Sequence, residues 1–197
     1  MSKNLVLVSH SDDETIFCGG TILSNPNDSW HVVSMVFNLE DSPRGIEFKN
    51  AMENYKRLGV NLTYQMLGHE DIDLNSADIE IWKESVKNLN LTPDAVYTHN
   101  SEGEYHHEHH VAVNKIANEL FTDSTIYEFI CPTMWRLQLV YQPFLANTKV
   151  VPLSPEVLRN KLDIYNNNYT SQLVNWRNLP DIMRFEFMST FEIFTYK

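Results

Sequence analysis

LVLVSHSDDETIFCGGTI, residues 5–22, is the stretch on which the reading of the fold turns. Residues 5–8 form a continuous apolar run of strand length, the pattern of a strand buried on both faces. A polar turn carrying His10, Asp12 and Asp13 follows at once. Residues 14–24 then read as a helix, with Gly19 and Gly20 interrupting its propensity.

The same alternation continues outward. WHVVSMVF, residues 30–37, reads as a second buried strand, and Phe48, Ala51, Met52 and Tyr55 follow the i, i+3, i+4, i+7 spacing of a helix. Residues 62–66 read as a strand. Ile79, Trp82, Val86 and Leu89 line one helix face, with Ser76 as the expected N-cap. A strand at 95–98 follows the Pro93–Asp94 turn, and Val113, Ile116, Ala117 and Leu120 mark another helix. Residues 125–130 and 148–152 read as strands. Ser154, Pro155 and Glu156 start a helix whose Leu158, Leu162, Tyr165 and Tyr169 share a face. The aromatic-rich tail from Arg184 to Tyr196 reads as partly strand. Strands alternating with amphipathic helices imply an α/β fold, a mostly parallel sheet with helices on both faces. With no repeat or linker in sight, one domain spanning residues 1–197 is expected.

Composition narrows the function. A chain of 197 residues, 43% hydrophobic and 21% charged, has the make-up of a soluble globular domain. Its net charge of −11 and the lack of a basic cluster argue against nucleic acid or an anionic membrane as partner. No apolar run approaches the roughly 20 residues of a membrane span. The N-terminus lacks a signal-peptide pattern. Cys18 and Cys131 cannot form a disulfide framework and read as reduced, so a cytoplasmic protein is expected.

The histidines are unevenly placed. Five of eight, His99, His106, His107, His109 and His110, fall within twelve residues. In a parallel sheet, ligands bind beyond the carboxyl ends of the strands. His10 and His99 each stand just past an expected strand, which puts both clusters on one edge. Imidazole and carboxylate are ligands that zinc accepts, and a catalytic zinc takes three of them, leaving a position for water. His10 and Asp13, three apart on a turn, can share one centre. Periodicity does not choose among the later histidines. The plainer readings are a helix-capping Ser-Asp-Asp-Glu and a solvated histidine patch.

SHSDDETIFCGGTI resembles the first signature of the zinc-dependent PIG-L/LmbE-like de-N-acetylases, His-Pro-Asp-Asp-Glu followed by Gly-Gly. GEYHHEHHVAVN, residues 103–114, is similar to that family's second signature, and KLDIYNNNYTSQ, residues 161–172, to a helix ending in Ser-Gln. The resemblance implies a Rossmann-like fold and the hydrolysis of an N-acetyl group on an amino sugar or related conjugate. It implies His10, Asp13 and His110 as zinc ligands and Asp12 as general base. It also implies that His107 stays off the metal and acts on the tetrahedral intermediate or the leaving amine, with Tyr105 as an oxyanion donor. Zinc acidifies water and polarises a carbonyl, which suits an unreactive amide. Segment 44–47, ahead of Leu58-Gly59-Val60, is similar to a family stretch whose arginine faces the substrate. Its spacing differs, so Arg44 reads either as a substrate contact or as a solvated arginine on the rim.

Two positions depart from the family pattern. Ser11 stands where proline is usual, and His109 where an acid often orients the off-metal histidine, with Glu108 as a substitute. The chain is also short for the family, so the loops around the sugar pocket are expected to be trimmed. Trp30, Trp82 and Trp176 read as core, Trp135 as core or sugar platform, and Cys18 as buried rather than reactive. The expected partner is a small N-acetylated molecule. Competing functions are a degenerate zinc-binding module on the same fold and a different metal hydrolase such as a phosphoesterase. A two-metal phosphoesterase needs more bridging carboxylates than the sequence offers near its histidines. Substrate identity, zinc against iron, and whether the chain forms a homo-oligomer stay open.

Overall fold

Leu5 and Leu7 point to one side of a central sheet and Val6 and Val8 to the other, and all four are buried. This explains why the first strand carries no polar alternation. In the computed structural model, which describes residues 1–36, 42–130, 147–176 and 191–197, seven strands form one sheet. They are β1 (Lys3–Val8), β2 (Ser29–Val36), β3 (Leu62–His69), β4 (Ala95–Thr98), β5 (Thr125–Phe129), β6 (Thr148–Pro152) and β7 (Phe191–Tyr196), in the order β3-β2-β1-β4-β5-β7-β6. The first five are parallel, and β7 is antiparallel to both β5 and β6.

The helices are α1 (Asp13–Ser24), α2 (Pro43–Arg57), α3 (Ser76–Lys87), α4 (Gly103–His106), α5 (Glu108–Leu120), α6 (Pro155–Asn168) and α7 (Thr170–Trp176). Val6 and Val8 pack with Ile16, Phe48, Met52 and Ile164, so α1, α2 and α6 cover that face. Leu5 and Leu7 pack with Trp82, Val86, Val113 and Ile116, so α3 and α5 cover the other. Ser42 and Ser154 cap α2 and α6 through their hydroxyls, each followed by proline. At α3 the cap is Asn75 rather than Ser76. The Asn75 side chain accepts from the amides of Ala77 and Asp78, and the Asp78 carboxylate accepts the Asn75 N–H.

The Gly-Gly pair of α1 is a matter of space. A Cβ on Gly20 would lie 2.5 Å from Leu153 carbons, and one on Gly19 would lie 2.6 Å from the Tyr55 hydroxyl. The helix is locked there from afar. Glu192 of β7 accepts from the amides of Gly20 and Thr21, both at 2.7 Å, and from Lys161 Nζ at 2.6 Å. Lys161 also donates to the Ile16 carbonyl at 2.8 Å. The buried face of α6 is therefore Lys161, Ile164, Tyr165 and Asn168, while Leu158 and Leu162 are only half-buried. Of the expected stripe, Tyr165 and Tyr169 are buried, while Lys161 with its partner Glu192 takes the buried place expected of Leu158 and Leu162. Trp30, Trp82 and Cys18 are buried as expected. Trp135, Cys131, the Trp176 side chain and the tail from 184 to 190 lie outside the described residues.

Candidate active site

The order of the sheet reverses between β1 and β4, and a crevice forms beyond their carboxyl ends. His10 leaves β1 into that crevice and His99 leaves β4 into it. A cleft of about 380 Å³ opens above, lined by Ile16, Phe17, Arg44, Asp71, Tyr105 and His107, with Gln172 reaching in from α7. Ser171 beside it fastens α7 to α2, its amide and hydroxyl both donating to Glu47 at 2.7 Å.

On the first arm the three acids part ways. Asp12 occupies the N-cap position of α1 but makes no cap bond, which removes the plain capping reading at this residue. Its Oδ1 instead accepts from Arg44 Nη2 at 2.9 Å. Burial raises the pKa of Asp12 while Arg44 opposes the rise. Arg44 is thus paired and largely buried, not solvated on the rim. Asp13 turns into the crevice, where its Oδ2 accepts from the His10 amide at 2.8 Å and the Ser9 hydroxyl at 3.2 Å. Burial alone would raise its pKa, but the imidazoles of His110, His10 and His99 hold it well below the usual carboxylate range. Glu14 turns away, accepting from Tyr169 and Thr15. Burial, against those two bonds, lifts its pKa to about 7.

The second arm is built by an unusual turn. Gly103, Glu104 and His106 all have φ between 55° and 68°, a region that penalises residues with a Cβ by about 1–2 kcal/mol. The turn drives Glu104 inward until it is 2% exposed. Its Oε2 accepts from His99 Nδ1 at 3.0 Å and His110 Nδ1 at 2.5 Å, and its Oε1 from the Asn100 amide at 2.9 Å. Burial opposes ionisation of Glu104, but the two histidines win and lower its pKa to about 2. A carboxylate only accepts, so each ring gives it the Nδ1 proton and turns Nε2 outward. The Ser9 amide meets the Nε2 of His99 at 3.1 Å. That of His110 meets no hydrogen-bond partner among the described residues.

Burial, with the neighbouring His99, lowers the pKa of His110 to about 4, so this ring is neutral. Its Nε2 faces Asp13 Oδ2 at 3.6 Å, and His10 Nδ1 lies 3.4 Å from the same oxygen. Two acceptors, the Asp13 carboxylate and the His110 nitrogen, thus confront each other with no proton between them. Ligands of a tetrahedral zinc at about 2.0–2.2 Å stand about 3.3–3.6 Å apart, so Asp13 stands at ligand spacing from both His10 and His110. Among the described residues three trios bring ligand atoms within 4.8 Å of one another: His10, His107 and His110; Asp13, His99 and His110; and His10, Asp71 and His109; His10, Asp13 and His110 are instead joined pairwise through Asp13. In the second trio, His99 is already engaged.

His107 caps α5, its Nδ1 accepting from the His109 amide at 3.3 Å. Burial and the neighbouring His10 and His109 lower its pKa to about 4. The ring is neutral and carries its proton on Nε2. Tyr105 stands 42% exposed at the mouth, its ring edge toward His110. His106 lines a shallower depression with Asp73 and Glu108. Glu104, His99 and Asp71 were not singled out as site residues from the sequence.

Residues 5–121 match the family model PIG-L, described as GlcNAc-PI de-N-acetylase. Among curated proteins, none matches. A deacetylase triple mutant of the teicoplanin biosynthetic pathway superposes with TM-score 0.74 at 13% identity, covering 100% of this chain and 98% of that one. N,N'-diacetylchitobiose deacetylase from Pyrococcus horikoshii gives 0.62 at 15% identity, covering 100% and 83%. GalB, a 4-carboxy-2-hydroxymuconate hydratase from Pseudomonas putida, gives 0.60 at 14%, covering 100% and 95%. At such identities the likeness bears on the fold, and the hydratase among them means that the reaction must be argued from the site.

Proposed function

The chain belongs to the PIG-L family of GlcNAc-PI de-N-acetylases, and from that premise we propose that residues 1–197 form one zinc-dependent deacetylase domain. It would remove the N-acetyl group of a small amino-sugar-type substrate. The observation that carries the proposal is the cation-shaped gap between Asp13 Oδ2 and the unpartnered Nε2 of His110. His10, Asp13 and His110 would hold the ion. When bound, zinc would polarise the amide carbonyl and acidify the attacking water.

The remaining work falls to the chain's own residues. Asp12, with Oδ1 held by Arg44, accepts a proton from the attacking water. Its raised pKa suits a base that must later release that proton. His107, neutral at rest, offers Nε2–H to the developing oxyanion. Asp12 then delivers the proton it has taken to the leaving nitrogen, so that the amine departs neutral. Tyr105 is a second donor at the mouth. Ile16 and Phe17 supply an apolar wall against which an acetyl methyl can lie. A cytoplasmic setting goes with this reading.

Asp12→Asn tests it, with zinc content and acetate release measured on the same preparation. Retained zinc with acetate release lowered about 10²–10⁴-fold is expected. Unchanged hydrolysis sinks the role of Asp12. A wild-type protein that binds zinc but releases acetate from no N-acetyl sugar leaves the binding-module reading in its place.

A further inference from the structure

His109 occupies the position where an acid orienting His107 was expected, yet its ring serves another residue. It is 3% exposed, wedged edge-on against Trp82, and reaches away from His107. Its Nε2 lies 2.8 Å from the Ile72 carbonyl and its Nδ1 lies 3.3 Å from His10 Nε2. A carbonyl only accepts, so His109 Nε2 carries a hydrogen. The other nitrogen, Nδ1, is the one that can accept, and what faces it is His10 Nε2. His10 Nε2 thus has an acceptor on its outer side, and with a cation at Nδ1 that is the hydrogen the ring would keep.

We propose that His109, anchored by the Ile72 carbonyl, is a positioning residue that selects which nitrogen His10 presents to the metal. The inference rests on the reading of His10 as a ligand. The alternative tautomer is close at hand. A hydrogen on His10 Nδ1 would find Ser9 Oγ at 3.1 Å and Asp13 Oδ2 at 3.4 Å, and a proton there would fill the gap meant for the cation. His109 makes that state unfavourable by giving the hydrogen a better home on the outer nitrogen. Asp71, with Oδ1 3.5 Å from both rings, adds negative charge on the same outer side. The segment after β3 thus takes part in the site through one backbone carbonyl and one acid. His107 itself is held as the cap of α5 and by the rings of Tyr105 and His110.

The wild-type zinc form gives the first test. Long-range proton–nitrogen NMR should show His10 protonated at Nε2 with the metal on Nδ1; coordination through Nε2 would overturn the proposal. His109→Leu should weaken zinc affinity about 10–100-fold, as loss of a partner behind a ligand histidine does, with the Nε2 proton of His10 lost or mixed between nitrogens. His109→Gln can accept from His10 and donate to Ile72, and should restore most of the affinity and the single tautomer. Wild-type affinity and tautomer in His109→Leu would refute the role. So would two zinc ions per chain with the second abolished by Asp71→Ala, because His10, Asp71 and His109 would then be a metal position of their own. None of these readouts depends on acetate release. A protein that binds zinc this way without deacetylating anything loses the proposed reaction and keeps the relay.

Discussion

The arm from Ser9 to Ser24 and the arm from His99 to His110 meet in one crevice and reach it by opposite means. The first has an ordinary helix and is held by distant packing, through Glu192 and Lys161 against its glycines. The second, tied outward by His109 on the Ile72 carbonyl, is shaped mainly from within. Its shape comes from three left-handed residues in four and a single buried carboxylate that takes hydrogen bonds from two histidines. The first arm brings charge to the metal position, and the second brings a neutral nitrogen with its proton fixed elsewhere. A site made this way needs rigidity on the side that is anionic and correct protonation on the side that is not.

Replacing the carboxylate of the second arm should have the largest effect. Glu104→Gln leaves His99 and His110 competing for one amide oxygen. It should cost about 3–5 kcal/mol of stability, as breaking a buried charge pairing does, and weaken zinc about 10–100-fold. Urea unfolding and chelator competition read the two losses. The same group sets an acid limb. The pKa of Glu104 falls to about 2 in the fold from 4.5, so its stabilisation is complete above the unfolded value and is lost as pH drops through the folded one. Stability of the metal-free protein should decline by about 3 kcal/mol between pH 5 and 2 on this account, and the decline should flatten in Glu104→Gln.

On the first arm, Glu192→Gln breaks the ion pair with Lys161 and weakens what holds the Gly20 and Thr21 amides. A loss near the lower end of about 3–5 kcal/mol is expected, with zinc affinity moved far less than by Glu104→Gln. Equal effects of both variants on zinc would break the contrast between the arms. Gly20→Ala should cost about 1–3 kcal/mol through overpacking against Leu153, read as a lower melting temperature. Ser11→Pro should change least. Its hydroxyl is buried without a hydrogen-bond partner among the described residues, and proline at a tolerant turn stabilises by about 0.4–1 kcal/mol through the unfolded chain. A large loss there would mean that the turn needs the conformation serine permits.

The parallel half of the sheet was legible because residues 5–8 and 30–36 are apolar without alternation and are punctuated by turn residues. The place of β7 was not, since an aromatic tail does not say which strands it enters between. His10, Asp12, Asp13 and His110 were legible through spacing and resemblance. Glu104 was hidden, because a glutamate after glycine in a polar turn reads as solvated until left-handed dihedrals turn it inward. Arg44 read more readily as a rim residue, its partner Asp12 being 32 positions away. His109 misled for a subtler reason. Its position matched a role, but the acceptor it reaches is a backbone carbonyl of a different loop, which no side-chain pattern records.

β7 comes last in sequence and sits between β5 and β6. Its Glu192 reaches the Thr21 amide across 171 positions. The consequence concerns time. The five parallel strands can pair in a collapsed chain while the first helix still lacks the acceptor for its central amides, and contacts of such separation form slowly. Refolding should therefore show tryptophan burial at Trp30 and Trp82 before the protein gains tight zinc binding, which makes metal capture a clock for the final strand.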